Sequence, residues 1–151
     1  MSGNLISMPL KVKRLDSQEE TEAVRILSTQ VFVDEQGVSP ELEVDEFDDS
    51  AIHAVAYAAG KVIATGRLIL DTPVSARIGR MAVQESLRRS GVGSAVLVFL
   101  ETEARSHGVK QLSLHAQNYV KDFYSQHGYR EFGETFLEAG IVHVQMKKDI
   151  V

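Results

Sequence analysis

The residues best suited to chemistry form the stretch RRSGVGS, in which two arginines and two glycines directly precede an amphipathic helical pattern. The first backbone N–H groups of a helix lack partners within it and, together with the helix dipole, favour an anion. Glycine lets a ligand approach the backbone closely, and arginine keeps its charge at neutral pH. The stretch therefore predicts a phosphate or pyrophosphate site at Arg88, Arg89, Ser90, Gly91, Val92, Gly93 and Ser94.

Two other phosphate-binding motifs fit this stretch less well. The chain has no G-x-x-x-x-G-K-[ST] string, so it carries no P-loop. A dinucleotide fingerprint needs G-x-G-x-x-G/A, and here valine stands at the position of the last small residue, in GVGSAV.

Two motifs carry a resemblance to a known family. RRSGVG matches the pattern [QR]-x-x-G-x-[GA], and FYSQHGY further along is close to [LF]-Y-x-x-x-G-[FY]. In both, the chain resembles the GNAT N-acetyltransferases, whose helix at the first motif binds the pyrophosphate of acetyl-coenzyme A. The stretches VFVDEQGV, DEFDDSAIHAVAY and LEAGIVHVQM are similar to the ElaA/YjcF-like branch of that family.

The resemblance implies further cofactor contacts on either side of the glycine motif. The strand IGRMAV would offer the backbone of Met81, Ala82 and Val83 to the pantetheine arm. The family's usual asparagine position falls on Gln117, with Asn118 one residue later, so either amide could contact the cofactor. Phe123 and Tyr124 of the second motif complete the implied cofactor site.

The reaction implied by the resemblance is direct transfer of an acetyl group from acetyl-coenzyme A to a primary amine through a tetrahedral intermediate. Tyr124 stands where the family keeps its general acid, and a phenol with a pKa of about 10 is still protonated at neutral pH. Packing against Tyr119, Val120 and Phe123 is the alternative role of Tyr124. The Val83 N–H is the implied oxyanion contact.

The base and the acceptor site are less specified. An amine with a pKa of about 10.4 is almost fully protonated at pH 7, so a base is useful. His53 and Glu35 are the main candidates, with His115, His143 and Glu138 also possible. His143 and the acidic stretch with Glu43 and Asp45 could bind a cationic acceptor, although acidic runs are usually only solvated. His107 and His127 precede glycines at helix ends and are expected to bond terminal carbonyls.

Two other functions fit parts of the sequence. ELEVDEFD resembles the E-x-D-x-[FY]-D pattern of acyl-homoserine-lactone synthases, which use S-adenosylmethionine, but the complete glycine motif disfavours this reading. A non-catalytic coenzyme A sensor would keep the same fold, and the presence of Tyr124 disfavours it.

The composition is that of one ordinary domain, which we assign to residues 1–151. The chain has a net charge of −5 and no cysteine, so general nucleic-acid binding and thiolate chemistry are not expected. No apolar run reaches about 18 residues and no signal peptide precedes the domain, so we expect a cytoplasmic protein without a membrane span. No histidine pair has metalloprotease spacing, and we expect no metal. The resemblance allows a small-molecule or peptide acceptor and a homodimer.

The elements that position these residues follow from hydrophobic periodicity and turn signals. A capping box at Ser17 and Glu20 begins a helix that runs to about residue 33 and ends at Gly37 and Pro40. The other predicted helices are residues 92–107 and 120–127, and the predicted strands are residues 10–14, 53–58, 62–70, 76–83, 111–116, 134–137 and 141–147. The order β-α-β-β-β-α-β-α-β-β predicts an α/β fold with a mixed sheet flanked by helices, as in the GNAT family.

Overall fold

The structure is a computed structural model that describes residues 10–38 and 50–150. The strands within these ranges are Leu10–Arg14 (β1), Ile52–Ala58 (β2), Lys61–Thr72 (β3), Ser75–Val83 (β4), Gln111–Gln117 (β5), Arg130–Glu138 (β6) and Ile141–Asp149 (β7). The α-helices are Gln18–Ser28 (α1), Val92–Ser106 (α2) and Lys121–Gln126 (α3). A π-helical segment, Thr29–Glu35, continues α1, and short 3₁₀ turns cover Glu85–Leu87 and Asn118–Val120.

The strands described form one sheet in the order β1-β2-β3-β4-β5-β7-β6. β4 and β5 pair in parallel, and the other neighbours pair antiparallel. This confirms the predicted element order and the mixed sheet. β6 begins at Arg130, four residues before the predicted start at residue 134. β6 is an edge strand whose residues are mostly exposed, and its register with β7 is irregular between Phe132 and Phe136. Its sequence therefore lacks the alternation of apolar and polar residues that marks a half-buried strand.

The predicted Ser17 cap is present at the start of α1, but the returning bond of the capping box goes to Asp16 instead of the N-cap residue Ser17. Ser17 accepts a hydrogen bond from the Glu20 N–H, and Glu20 reaches back to the Asp16 N–H at 3.0 Å. The same carboxylate accepts from Lys13 and from the Tyr57 hydroxyl, both at 2.6 Å. These bonds, that from Lys13 first, hold the pKa of Glu20 at about 2. The buried carboxylate thus joins α1 to both β1 and β2.

α2 packs through its apolar stripe on the sheet. Its buried residues join those of β2, β3 and β5 in the main core: Val92, Val96, Leu97, Leu100 and Ala104. A second, smaller cluster joins Leu27 of α1 and Val31 of the π-helical segment to Ala82 of β4. The two clusters are separate, with α1 in one and α2 in the other.

α2 packs closely against β3 at Gly66. A Cβ atom there would lie 2.8 Å from Met81 Sδ and 2.9 Å from both Val96 Cγ1 and Leu100 Cδ1. Real Cβ atoms do not approach other atoms so closely, so a side chain at this position would push α2 away from the sheet.

Substitution Gly66→Ala should therefore destabilise the fold by about 1–3 kcal/mol, the usual cost of overpacking a core. Gly79→Ala on the neighbouring strand is the matched control, because a Cβ there meets no atom within 4 Å. Urea unfolding of both variants measures the difference. Equal midpoints for the two would contradict a close α2–β3 contact.

Candidate active site

The two parallel strands at the centre of the sheet separate before they end. β4 and β5 pair from Ser75 with Gln111 to Ile78 with Leu114. β4 then continues to Val83 and β5 to Gln117, but beyond Ile78 and Leu114 the two strands no longer pair with each other. The unpaired ends leave a cleft, named here the splay, between residues 79–83 and 115–117.

A bulge in β4 begins where the splay begins. Thr65 pairs with Ala82 and Arg67 with Gly79, so one residue of β3 faces two residues of β4. Arg80 within the bulge has a φ of +53°, in the left-handed region that residues other than glycine rarely adopt. Such bulges bend the strand that carries them, and this accounts for the departure of β4 from β5.

The bend leaves backbone groups of β4 directed into the splay. The Gln84 N–H donates to Ile63 O on β3 at 2.8 Å. Successive N–H groups of a strand point to opposite edges, so the Val83 N–H is directed to the other edge of β4, towards β5. The Val83 carbonyl points the same way and accepts a 3.0 Å bond from Arg88 Nε.

The N-terminus of α2 begins just past this end of β4. Gly91 caps the helix with a φ of +89°, and Arg89 is also left-handed, with a φ of +64°. The Ala95 N–H is the first to reach a carbonyl of its own helix, that of Gly91, at 3.1 Å. The preceding N–H groups of Val92, Gly93 and Ser94 are the helix donors that face outward and can receive an anion.

Comparison with known proteins identifies the family. Residues 15–150 match the family model described as the acetyltransferase (GNAT) domain. The chain belongs to the GNAT acetyltransferase family. It is 36% identical to the uncharacterized N-acetyltransferase YjcF of Bacillus subtilis, over 88% of this chain and 95% of that protein.

Solved structures give the same result. The crystal structure of a putative N-acetyltransferase from Lactobacillus plantarum superposes with a TM-score of 0.87 at 29% identity, covering 94% of this chain and 99% of that one. Escherichia coli ElaA superposes with a TM-score of 0.82 at 26% identity, covering 93% and 99%. The GNAT fold and the ElaA/YjcF-like branch predicted from the motifs are both confirmed.

The second GNAT motif packs directly against the first. Ser94 Oγ and His127 Nε2 share a 2.9 Å hydrogen bond, and the His127 ring lies 5.0 Å from the Phe123 ring. Phe123 also lies 3.4 Å from the place of a Cβ on Gly93. The expectation that His127 bonds a terminal carbonyl is wrong, because its side chain reaches Ser94. His107 does bond the Glu103 carbonyl, at 2.9 Å.

Tyr124 lies in α3 and is 8% exposed. Its ring packs edge-on against Phe123 and Tyr129. Burial raises its pKa to about 12, so the hydroxyl is neutral and able to donate a hydrogen bond at neutral pH. The packing role and the donor role foreseen for this residue are therefore compatible.

The π-helical segment connects both walls of the splay. Arg88, which bonds the end of β4 through Val83, also pairs with Glu35 at 2.7 Å. The next residue, Gln36, accepts a 2.7 Å bond from Gln117 at the end of β5. We name this chain of contacts the clasp. Gln36 was not foreseen as a site residue, because nothing in the sequence indicates a pair that is 81 residues apart.

The remaining predicted residues are more scattered. Met81 is partly buried and Ala82 buried, whereas Asn118 is exposed at the start of a 3₁₀ turn. His53 is on β2 opposite Arg67, with β3 between it and β4, so its backbone lies about 10 Å from β4. Ser90 Oγ donates to the Leu87 carbonyl and shapes the loop before α2. Glu43 and Asp45 lie outside the described residues.

His143, His115 and Glu138 come together on three neighbouring strands. His115 on β5 bonds Glu138 on β6 at 2.9 Å, and His143 on β7 lies 3.7 Å from the same carboxylate. Across residues 10–38 and 50–150, no group of three or more metal-binding side chains is arranged to hold an ion. Nor do these ranges contain a helix with the length and hydropathy needed to cross a bilayer.

The two glycines of the first motif should respond oppositely to alanine. Gly91→Ala places a side chain at a φ of +89° and should cost about 1–2 kcal/mol. Gly93 has no positive φ and its Cβ would meet ordinary contacts, so Gly93→Ala should be neutral or stabilising by up to about 1 kcal/mol. Thermal unfolding measures both. A larger loss for Gly93→Ala than for Gly91→Ala would contradict the assigned conformations.

Proposed function

We propose that this GNAT acetyltransferase binds acetyl-coenzyme A in the splay and transfers its acetyl group to a primary amine. The observation that carries the proposal is the splay itself, which has the outward N–H groups of α2 close to the end of β4. A pyrophosphate is an anion that suits those donors. The pantetheine arm, which carries amides, suits the unpaired backbone edge of β4 at Met81, Ala82 and Val83.

The two GNAT motifs would supply most of the residues that bind acetyl-coenzyme A. The loop of Arg88, Arg89 and Ser90 and the backbone of Gly91 to Ser94 would surround the pyrophosphate, and Phe123 would pack beside Gly93. Arg88 would act mainly through position, because its guanidinium already bonds Val83 and Glu35. Gln117 or Asn118 would contact the pantetheine arm.

Each proton in the proposed reaction has a defined source and destination. The acceptor ammonium loses one proton, and its nitrogen attacks the thioester carbon to form the C–N bond. The Val83 N–H, directed into the splay, stabilises the resulting oxyanion. The C–S bond breaks, the nitrogen loses a second proton and the sulfur gains one, so one proton is released overall.

Tyr124 is proposed to supply the proton that the sulfur gains. Its pKa of about 12 exceeds that of a thiol, about 8.5 for cysteine, so complete transfer is uphill for Tyr124 alone. The transfer is completed when the phenolate takes up the second proton lost by nitrogen. The Tyr124 phenol would therefore pass a proton from the nitrogen to the sulfur without a net change in its own protonation.

Calorimetric titration with acetyl-coenzyme A tests the donor site. We expect binding by the wild type and weaker binding by Arg89→Ala, which removes a positive charge from the loop that would surround the pyrophosphate. Absence of binding at millimolar concentration would contradict the proposal. Thiol release with a panel of amines, polyamines and aminosugars tests the transfer. Binding without turnover would favour a coenzyme A sensor, and turnover only with S-adenosylmethionine would favour a lactone synthase.

Removal of the Tyr124 hydroxyl should slow the chemical step selectively. For Tyr124→Phe we expect kcat to fall on the order of 10²-fold, as for a lost general acid, with acetyl-coenzyme A affinity unchanged. Tyr119→Phe is the control, because that side chain is 70% exposed. An unchanged kcat in Tyr124→Phe would show that the residue only packs.

A further inference from the structure

A carboxylate and two imidazoles form a cluster beyond the end of the splay, which we name the His-Glu-His cluster. Glu138 Oε1 accepts a 2.9 Å bond from His115 Nδ1, and Glu138 Oε2 lies 3.7 Å from His143 Nε2. Phe136 packs against both rings, edge-on to His115 at 4.9 Å and stacked on His143 at 5.8 Å. The Glu138 carboxylate thus contacts two histidines, and the Phe136 ring packs against both of them.

The protonation of His143 follows from its partner. Its Nδ1 lies 2.7 Å from the Ile141 carbonyl, and a carbonyl oxygen can only accept a hydrogen bond. Nδ1 therefore carries the hydrogen, and in the neutral ring Nε2 carries the lone pair. This nitrogen, and not Nδ1, is available to take up a proton.

The sheet places His143 beside the proposed reaction centre. It pairs in register with Gln117, the last residue of β5, on the strand edge that faces away from β4. Gln117 forms one end of the clasp and directly precedes the turn that leads to Tyr124. Paired residues on neighbouring strands lie about 5 Å apart, so His143 is one strand spacing from the wall of the splay.

We propose that His143, supported by Glu138, is the general base that deprotonates the acceptor amine; this inference rests on the proposed function. Nε2 accepts one proton from the acceptor ammonium, which leaves a neutral amine and an imidazolium. The amine forms the C–N bond as described above. The imidazolium then gives its proton to solvent through the half-exposed Glu138 carboxylate, which accounts for the one proton released overall.

The surroundings of His143 suit a cation that forms during the reaction. The facing groups on the described elements are Glu138 from β6 and, through it, His115 from β5, while Gln117 opposite is neutral. On the same face of β7, Lys147 lies over the Phe132 ring at 4.8 Å. Only 6% of His143 is exposed, so Glu138 rather than water stabilises the imidazolium.

The other base candidates are less well placed. Glu35 is already paired with Arg88 at 2.7 Å, so its carboxylate is occupied by that contact. His53 is separated from β4 by a strand. The His-Glu-His cluster therefore carries the assignment.

The test compares two acceptors with opposite needs for a base. Ethylamine is protonated at neutral pH and requires deprotonation, whereas trifluoroethylamine is largely neutral and does not. With ethylamine we expect His143→Gln to lower kcat/KM on the order of 10²-fold or more. With trifluoroethylamine the loss should be at least tenfold smaller, and calorimetric affinity for acetyl-coenzyme A should be unchanged. His107→Gln, an exposed histidine at the end of α2, is the matched control and should match the wild type.

Glu138→Gln keeps the test valid if His143→Gln fails to fold, because half of the Glu138 side chain is exposed and the change is tolerable. Loss of the carboxylate removes the anion that faces His143 Nε2, so kcat/KM with ethylamine should fall and kcat/KM with trifluoroethylamine should fall less. Two-dimensional NMR of nitrogen-labelled wild type should also show the neutral His143 ring protonated at Nδ1.

The outcomes separate the two proposals. Equal losses with both amines in His143→Gln, equal losses with both in Glu138→Gln, or a neutral His143 ring protonated at Nε2 would overturn the assignment of the base alone. Absence of turnover by the wild type with every amine of the panel would overturn the proposed function, and the inference with it.

Discussion

The separation of β4 from β5 is the constraint on which the rest of the site depends. Continuous pairing would bury the Val83 N–H in a ladder bond and leave no space between the strands. The bulge with Arg80 at a φ of +53° bends β4 at the cost of a strained residue. The register with β3 holds this bend, because Gln84 is still bonded to Ile63 after it. An open backbone edge is therefore built into the middle of a sheet.

Elements from distant parts of the chain then use this opening. The tight contact at Gly66 brings α2 onto the sheet, with its N-terminus near the end of β4. The clasp of Glu35, Arg88, Gln36 and Gln117 joins the π-helical segment to both walls. Beyond β5, the His-Glu-His cluster adds two imidazoles and a carboxylate, to which we assign the proposed proton transfer. In the proposed function, anion binding, backbone recognition and proton transfer would take place at separate positions around one cleft.

The sequence predicts most of the fold, the family and the two motifs that the structure brings together beside the splay. Periodicity and the glycines at 91 and 108 locate α2, and two local motifs reveal the family. No residue type in the sequence marks the position of the bulge, because arginine has no intrinsic preference for the left-handed φ that Arg80 adopts. The Gln36–Gln117 pair and the His-Glu-His cluster depend on long-range packing and strand register, which are properties of the whole sheet. The side of the splay where we propose that the acceptor binds was therefore the part least predictable from sequence.

A crystal structure with coenzyme A bound tests most directly whether the splay is the donor site. We expect the pyrophosphate on the N–H groups of Val92, Gly93 and Ser94, and the pantetheine arm in the splay along residues 81–83. The thiol should then lie between the Val83 N–H and the Tyr124 hydroxyl. Coenzyme A bound elsewhere, or β4 and β5 paired to their ends in the complex, would contradict it.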